Sequence, residues 1–560
     1  MSSNPAQRPM IVQSDRTVLL QMGLPASEQA RDALARFAEL IKSPEHVHTY
    51  RITPLSLWNA AATGLAADEM MAALAAHSRF PVPPTLAAEV RDLMGRWGRF
   101  RLCPLDDGHL ALESGDEALL AEIAANPRIH SLLGADLGAG RRAVATSNRG
   151  LLKQAMTRLG WPVEDLAGYV EGEPLPMSLR ATTLSGDPFS LRPYQVASVR
   201  VFHAGGSARG GSGVIALPCG AGKTVVGLAL MAELQTSTLI LTTSITALRQ
   251  WRRELLERTS LSEKEIGEYS GEVKTVSPVT VATYQILTHR RSRDAPFTHF
   301  ALFHQRNWGL IIYDEVHLLP APVFRLLADI QSRRRLGLTA TLVREDGRED
   351  DVFSLIGPKK YDVPWRELES QGFIAAASCI EVRVPLSAEL RRRYYAAGDR
   401  EAYVLAATNP AKDSCVADLL ERHRGERILV IGQYLAQLRD LAERLDLPIL
   451  TGSTPQEERE RLYGLFRQGD LPVLVVSKVA NFAVDLPAAA VAVQISGTYG
   501  SRQEEAQRLG RILRPKEGAN RACFYTLVSR ETVEVEYARR RQIFLAEQGY
   551  RYRIEEAGDL

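Results

Sequence analysis

Residues 216–224 read Ala-Leu-Pro-Cys-Gly-Ala-Gly-Lys-Thr, between an apolar run at 214–217 and a helix-like run at 225–234. A strand, a Gly-rich loop and a helix in that order aim backbone N–H groups and a helix N-terminus at one point, which suits an anion. Pro218, Cys219, Gly220, Ala221 and Gly222 would cradle the phosphates of ATP there. Lys223 would hold the β- and γ-phosphates, and the Thr224 hydroxyl would ligate Mg²⁺. Leu217 stands where this pattern usually opens with glycine. Taken alone, the segment also reads as a Gly-rich turn with a surface lysine. Further along, 310–317 reads Leu-Ile-Ile-Tyr-Asp-Glu-Val-His, an apolar strand ending in two acids. Asp314 would reach Mg²⁺ through water, and Glu315 would polarise an attacking water. Asp-Glu after a strand is often only a solvated turn, but following Gly-Lys-Thr it supplies the second half of a nucleotide site.

Three shorter segments extend that site. Arg192-Pro-Tyr-Gln195 lies just upstream and is assigned to the nucleotide, since Gln195 can pair with both edge groups of adenine. Thr339 and Thr341, in Thr-Ala-Thr, follow another strand, and their hydroxyls can link the phosphate site to a second lobe. In Gln507-Arg-Leu-Gly-Arg-Ile-Leu-Arg514, helical spacing sets Gln507, Arg511 and Arg514 on one face. Arg511 and Arg514 are then candidate arginine fingers that reach the γ-phosphate when two lobes close. A plain basic helix face is the competing reading.

The elements that must position these residues are legible from residue 191 on. Apolar runs at 214–217, 238–242, 279–282, 310–313 and 336–338 each precede turns and helices. A second set lies at 428–431, 448–450, 473–476, 491–495 and 523–527. The alternation predicts two mostly parallel α/β lobes with ligands beyond the carboxyl ends of the strands. The Gly/Ser-rich run 204–213 reads as a solvated loop. Before about residue 180 the chain reads mainly as short helices, with 69–77 stopped by Pro81, Pro83 and Pro84, and with one strand at 12–20. Trp58, Trp97, Trp161 and Tyr169 read as core aromatics in preference to base-stacking platforms.

Composition bounds the rest. A chain of 560 residues exceeds one core, so roughly three or four domains are expected. With 68 basic against 66 acidic residues, nucleic-acid binding must rest on local basic surfaces. The five cysteines form no C-x-x-C pair, which indicates neither a zinc ribbon nor an iron–sulfur cluster and fits a reducing compartment. The first residues are polar, and no apolar run approaches the ~20 residues of a membrane helix. The expectation is a soluble, cytosolic protein with no membrane partner.

Taken in order, these motifs closely resemble those of superfamily 2 helicases, and several stretches narrow the resemblance to the XPB type. They are Leu336-Gly-Leu-Thr-Ala-Thr-Leu-Val-Arg-Glu-Asp346, Asp-Glu-Val-His rather than Asp-Glu-Ala-His, Asp485-Leu-Pro487, and the run from Gln507 through Arg514 to Pro515 and Lys516. Phe524-Tyr-Thr-Leu-Val-Ser529 is similar too, and Glu45-His-Val-His-Thr-Tyr-Arg-Ile-Thr-Pro-Leu-Ser-Leu-Trp58 is nearest the bacterial branch. The resemblance implies an α/β fold of two RecA-like motor lobes behind a mainly helical α+β N-terminal region. It implies an accessory domain at 1–120, a damage-recognition-like domain at 121–180, and lobes at 181–364 and 365–560. It also implies a DNA-dependent ATPase of three-prime to five-prime polarity that uses ATP and Mg²⁺ on double-stranded or forked DNA in repair. Asp485 is then assigned to the nucleotide site, and Arg344, Glu345 and Asp346 to an R-E-D element for duplex opening.

A helical thumb is expected near 387–412, carrying Arg391, Arg392, Arg393, Tyr394 and Tyr395. Basic residues beside aromatics suit phosphate contact with base stacking, and suit a solvated amphipathic helix equally. Eukaryotic members carry long charged extensions not seen here, so the expectation is a bacterial protein of the cytosol or nucleoid. No nuclease constellation is visible, which leaves any cutting to a nuclease or repair partner. An RNA helicase and a nucleotide-binding scaffold without motor activity are the alternatives; intact Lys223, Asp314, Glu315, Arg511 and Arg514 oppose the scaffold.

Overall fold

The structure is a computed structural model that describes residues 7–24, 26–42, 46–105, 109–218, 220–290, 298–320, 323, 330, 333–340, 349–363, 365–477, 489–497, 508–509, 512, 520–547, 550 and 552–559. Residues 12–20 do not form one strand. Asp15 and Arg16 turn the chain, with Arg16 at φ +70° and the Asp15 carboxylate accepting from Thr17 N at 2.9 Å. The result is a hairpin of β1 (Met10–Val12) and β2 (Thr17–Gln21). With β3 (Glu39–Lys42) and β4 (Val47–Arg51) it makes a four-stranded antiparallel sheet in the order β1-β2-β4-β3. The helices α1 (Ser27–Ala35), α2 (Pro54–Ala62), α3 (Ala67–His77) and α4 (Pro84–Gly95) accompany it. A capping box between Thr53 and Ser56, with Pro54 in the first turn, starts α2.

A second sheet follows, made of β5 (Phe100–Pro104), β6 (His109–Ser114), β7 (Asp136–Gly138), β8 (Arg141–Ala145) and β9 (Val163–Asp165). Its order is β7-β8-β6-β5-β9, so it takes strands from both sides of residue 120. Its helices are α5 (Glu117–Ala125), α6 (Pro127–His130) and α7 (Arg149–Arg158).

The two strand sets expected after residue 191 build two seven-stranded parallel sheets. The first comprises β10 (Ser212–Ala216), β11 (Thr238–Thr242), β12 (Ile266–Tyr269), β13 (Val279–Thr283), β14 (Leu310–Asp314), β15 (Arg334–Thr339) and β16 (Lys359–Asp362). Their order is β12-β13-β11-β14-β15-β10-β16. The helices α8 (Pro193–His203), α9 (Lys223–Leu234), α10 (Ile245–Arg258) and α11 (Tyr284–Thr288) belong to this lobe. The second sheet comprises β17 (Ala376–Val384), β18 (Ile428–Gly432), β19 (Ile449–Leu450), β20 (Val473–Ser477), β21 (Val491–Gln494), β22 (Arg521–Ser529) and β23 (Tyr552–Glu556), ordered β19-β20-β18-β21-β22-β17-β23. Central strands such as β10, β11 and β18 are buried along their whole length, as parallel strands covered on both faces must be.

Only part of the run 204–213 is solvated. From Gly210 the chain is buried, and a β-carbon on Gly211 would stand 2.8 Å from the Tyr169 ring. The front packs against both lobes. Trp58 and Trp97 flank Phe353 of the first lobe at ring distances of 6.3 and 5.6 Å, and Asn59 Oδ1 accepts from Lys359 N at 2.9 Å. Ile543 and Ala546, from the helix Val533–Glu547 of the second lobe, join the front's apolar core. Among the described residues no helix is long and apolar enough to cross a membrane.

One polar device sits inside the second lobe. The Lys412 ammonium donates to both Glu534 carboxylate oxygens at 2.8 and 2.9 Å and to the carbonyls of Ala407 and Ile495, and both side chains are 0% exposed. Removing one partner strands a buried charge. Glu534→Ala should therefore destabilise the lobe by about 3–5 kcal/mol, whereas Lys412→Met with Glu534→Leu should destabilise it far less. Urea unfolding of the two variants measures the difference.

Candidate nucleotide site and nucleic-acid surface

Strand register brings the chemistry together. β14, β15 and β10 are neighbours, with Asp314 opposite Leu338 and Ala216 opposite Thr339. The phosphate-loop segment, the Asp-Glu pair and the start of Thr-Ala-Thr thus leave the sheet side by side, at the carboxyl ends of adjacent strands. Leu217 N donates to Thr339 O at 2.9 Å, which ties the loop's base to β15.

The loop is shaped by glycine. Gly220 and Gly222 have φ of +83° and +79°, and a β-carbon at 222 would lie 2.7 Å from Gln195 Nε2. Gly222 caps α9, so Lys223 and Thr224 open the helix with its N–H groups facing the loop. Lys223 Nζ sits 3.2 Å from Glu315 Oε1. Glu315 itself adopts left-handed backbone at φ +50°, a strained setting for a residue with a β-carbon. Its carboxylate lies 3.5 Å from His317 Nδ1, which is also 2.7 Å from Thr339 Oγ1. The hydroxyl of Thr339 is therefore linked to the Asp-Glu-Val-His turn of its own lobe.

Asp314 is held at three atoms. Trp251 Nε1 donates to Oδ2 at 2.8 Å, Glu315 N to Oδ1 at 3.1 Å, and the Tyr284 hydroxyl to the backbone carbonyl at 3.0 Å. Burial, with the Glu315 carboxylate beside it, pushes the Asp314 carboxyl up to about 6. A crowded, partly desolvated acid of this kind is favoured in its charged form by a cation, so the site fits a divalent ion. Among the described residues no group of three or more His, Cys, Asp or Glu could hold a metal. An ion here would be shared with phosphate oxygens and water, as Mg²⁺ usually is.

Gln195 has a different setting from the one its sequence position suggests. It is buried, its Oε1 accepts from Arg192 N at 2.9 Å, and its Nε2 donates to Ala221 O at 3.0 Å. Each end of the amide already serves the chain, so as placed it braces the Gly-rich loop. Tyr194 braces the same carbonyl, its hydroxyl donating to Ala221 O at 2.7 Å. Arg192 donates to Tyr194 Oη at 3.1 Å and to Phe373 O at 3.2 Å, and stacks on the Phe373 ring at 5.1 Å. It thereby joins the loop's support to the start of the second lobe.

Trp251 and Tyr284 lie outside the sequence motifs, and Tyr194 lies inside Arg192-Pro-Tyr-Gln195, where the sequence assigned it no part. The available signal is Gly227, an isolated glycine inside a helical run, which marks a close approach. Cys219, Thr341, Arg344, Glu345, Asp346, Asp485, Gln507, Arg511 and Arg514 lie outside the described residues.

In the thumb region, Ser387 caps the helix Ala388–Ala396, its hydroxyl accepting from Leu390 N at 3.1 Å. No residue of this helix is buried, and Arg391, Arg392 and Arg393 are exposed. Tyr395 is 68% exposed, with Tyr394 edge-on to it at 5.3 Å. Tyr394 instead packs inward, its hydroxyl accepting from Val533 N at 2.8 Å. Arg391 is 3.5 Å from Glu531.

Comparison with known proteins fits this arrangement. Residues 368–557 match the family model described as ERCC3/RAD25/XPB C-terminal helicase, and 188–344 match one described as type III restriction enzyme, res subunit. Residues 10–138, which hold the first sheet and part of the second, match a model described as helicase conserved C-terminal domain. A Kineococcus radiotolerans protein named DNA 3'-5' helicase XPB is 54% identical over 552 residues, 99% of this chain and 97% of that one. The chain belongs to the XPB helicase family. An XPB helicase of Mycobacterium tuberculosis, bearing the same name, is also 54% identical over 552 residues, covering 99% of this chain and 98% of that one. The XPB likeness reaches yeast: the Saccharomyces cerevisiae protein named general transcription and DNA repair factor IIH helicase/translocase subunit XPB/SSL2 is 33% identical over 617 residues, 98% of this chain and 72% of that one.

Proposed function

We propose that this XPB-family chain is an ATP-driven motor of three-prime to five-prime polarity on double-stranded or forked DNA, acting in DNA repair. The observation that carries the reading is the Lys223–Glu315 contact of 3.2 Å beneath a glycine-shaped loop, with Asp314 alongside. The name DNA 3'-5' helicase borne by relatives of near-equal length supplies the substrate and polarity.

The Thr224 hydroxyl and, through water, Asp314 would hold Mg²⁺ with the phosphates of ATP; when bound, the ion offsets charge on the β- and γ-phosphates. Lys223 would exchange Glu315 for the phosphates, and this frees the Glu315 carboxylate to orient and polarise the attacking water. Arg511, Arg514 and Gln507 would arrive from the second lobe as the cleft closes, with Asp485 on the nucleotide. Thr339, through His317, would transmit the state of that turn, and Thr341 would continue the link. Arg391, Arg392 and Arg393 would grip phosphates, and exposed Tyr395 would stack on a base, while Tyr394 anchors the thumb. We divide the front between α4 and β5, because the second sheet spans residue 120. A nuclease or repair partner in the bacterial cytosol completes the reading.

Strand displacement from partial duplexes with a single tail tests polarity. ATP should drive release from three-prime-tailed DNA, and release from five-prime-tailed DNA alone would reverse the assignment. Arg344→Ala and Asp346→Ala should impair release while DNA-stimulated ATP hydrolysis persists in part. Both assays need one fixed salt concentration, because phosphate contacts weaken steeply with salt. Parallel losses in the two assays would leave Arg344, Glu345 and Asp346 a structural role only.

A further inference from the structure

The geometry points to Trp251 as the positioning residue that sets the two halves of the Mg²⁺ site against each other. The inference rests on the reading of Thr224 and Asp314 as the groups that hold the ion. Trp251 lies on α10, is 1% exposed, and reaches across α9. A β-carbon at Gly227 of α9 would stand 2.6 Å from Trp251 Cη2 and 3.1 Å from Cζ3. A helix-interior glycine is ordinarily about 1 kcal/mol worse than alanine; here it admits the ring. Gly227 follows Thr224 by three positions and Lys223 by four, so the ring rests on the helix face that carries both.

At its opposite edge the same ring donates Nε1–H to Asp314 Oδ2 at 2.8 Å. One rigid side chain thus spans the distance from the phosphate-loop helix to the acid at the end of β14. With Glu315 N on Oδ1, each carboxylate oxygen receives one donor and keeps a lone pair for a water of the ion's shell. Packing explains the ring but not its polar edge, since an apolar ring would leave Oδ2 without this donor. Partners that orient a ligand from behind commonly change metal affinity by about 10–100-fold.

The test uses the full chain and a fluorescent ADP derivative, with binding read by anisotropy during Mg²⁺ titration and again in EDTA. Direct Mn²⁺ binding by electron paramagnetic resonance gives a readout independent of nucleotide turnover. Trp251→Phe should raise the Mg²⁺ and Mn²⁺ half-saturation points about tenfold, with ADP affinity in EDTA unchanged at a temperature where the variant is fully folded. Gly227→Ala, which displaces the ring but keeps its N–H, should shift the same points. Asp314→Asn is the control on the underlying reading. If Asp314→Asn raises the Mg²⁺ requirement and Trp251→Phe leaves it at the wild-type value, Trp251 is only core. Equal losses of ADP affinity with and without Mg²⁺ in Trp251→Phe also reduce it to packing. No rise in Asp314→Asn removes the Mg²⁺ reading, and this inference with it.

Discussion

Glu315→Gln should bind ATP with Mg²⁺ as well as the unchanged protein and hydrolyse it slower by a factor on the order of 10²–10⁴. The amide keeps the shape of the side chain at the left-handed turn, so the loop geometry around it persists. What leaves is the negative charge proposed to polarise water. Lys223 meanwhile loses a competitor 3.2 Å away, so its ammonium is more available to phosphates. Lys223→Ala should behave differently, with affinity and turnover both falling, because that ammonium meets the phosphates before and during reaction. Equilibrium ATP binding and single-turnover hydrolysis separate the two patterns. A Glu315→Gln protein with turnover within about tenfold of wild type would lie below the range for a lost catalytic carboxylate and overturn the assignment.

Arg514→Ala should lower turnover by a factor on the order of 10³, the usual worth of an arginine finger. Nucleotide affinity should change far less, since a finger engages only in the closed, reacting state. Arg508, Leu509 and Ile512 of the same segment are fully buried. At 100° per residue they occupy the side away from the one where the sequence spacing sets Gln507, Arg511 and Arg514. If affinity falls as far as turnover, Arg514 holds the ground state and the closing mechanism is wrong.

The grouping of the candidate site was legible where its residues are local. Gly220, Gly222, Lys223 and Thr224 are contiguous, and Asp314 with Glu315 ends a strand that is apolar on both faces. The contact of Trp251 with Asp314 was not legible, since the two lie 63 positions apart. The contact of Gln195 with Ala221 O was not legible, because only the tertiary path of the loop puts that carbonyl against its amide. Strands β12, β16 and β23 lie at or beside sheet edges where Glu268, Lys359, Lys360 and Arg553 interrupt the apolar pattern. Within β17, Glu381 is ion-paired with Arg383 and accepts from Gln542, so its charge marks a paired interior position instead of a loop. In the front, hairpin strands as short as the three residues of β1 leave too little alternation to read.

The central claim is that ATP hydrolysis at this site is coupled to duplex DNA. The most direct measurement is the ATPase rate of the full chain with saturating duplex DNA, with an equal mass of duplex RNA, and with neither, alongside Glu315→Gln. DNA should stimulate the rate strongly, RNA should give no comparable rise, and the variant should show no DNA-stimulated rate. A rate unmoved by DNA, or raised as much by RNA, would contradict that claim.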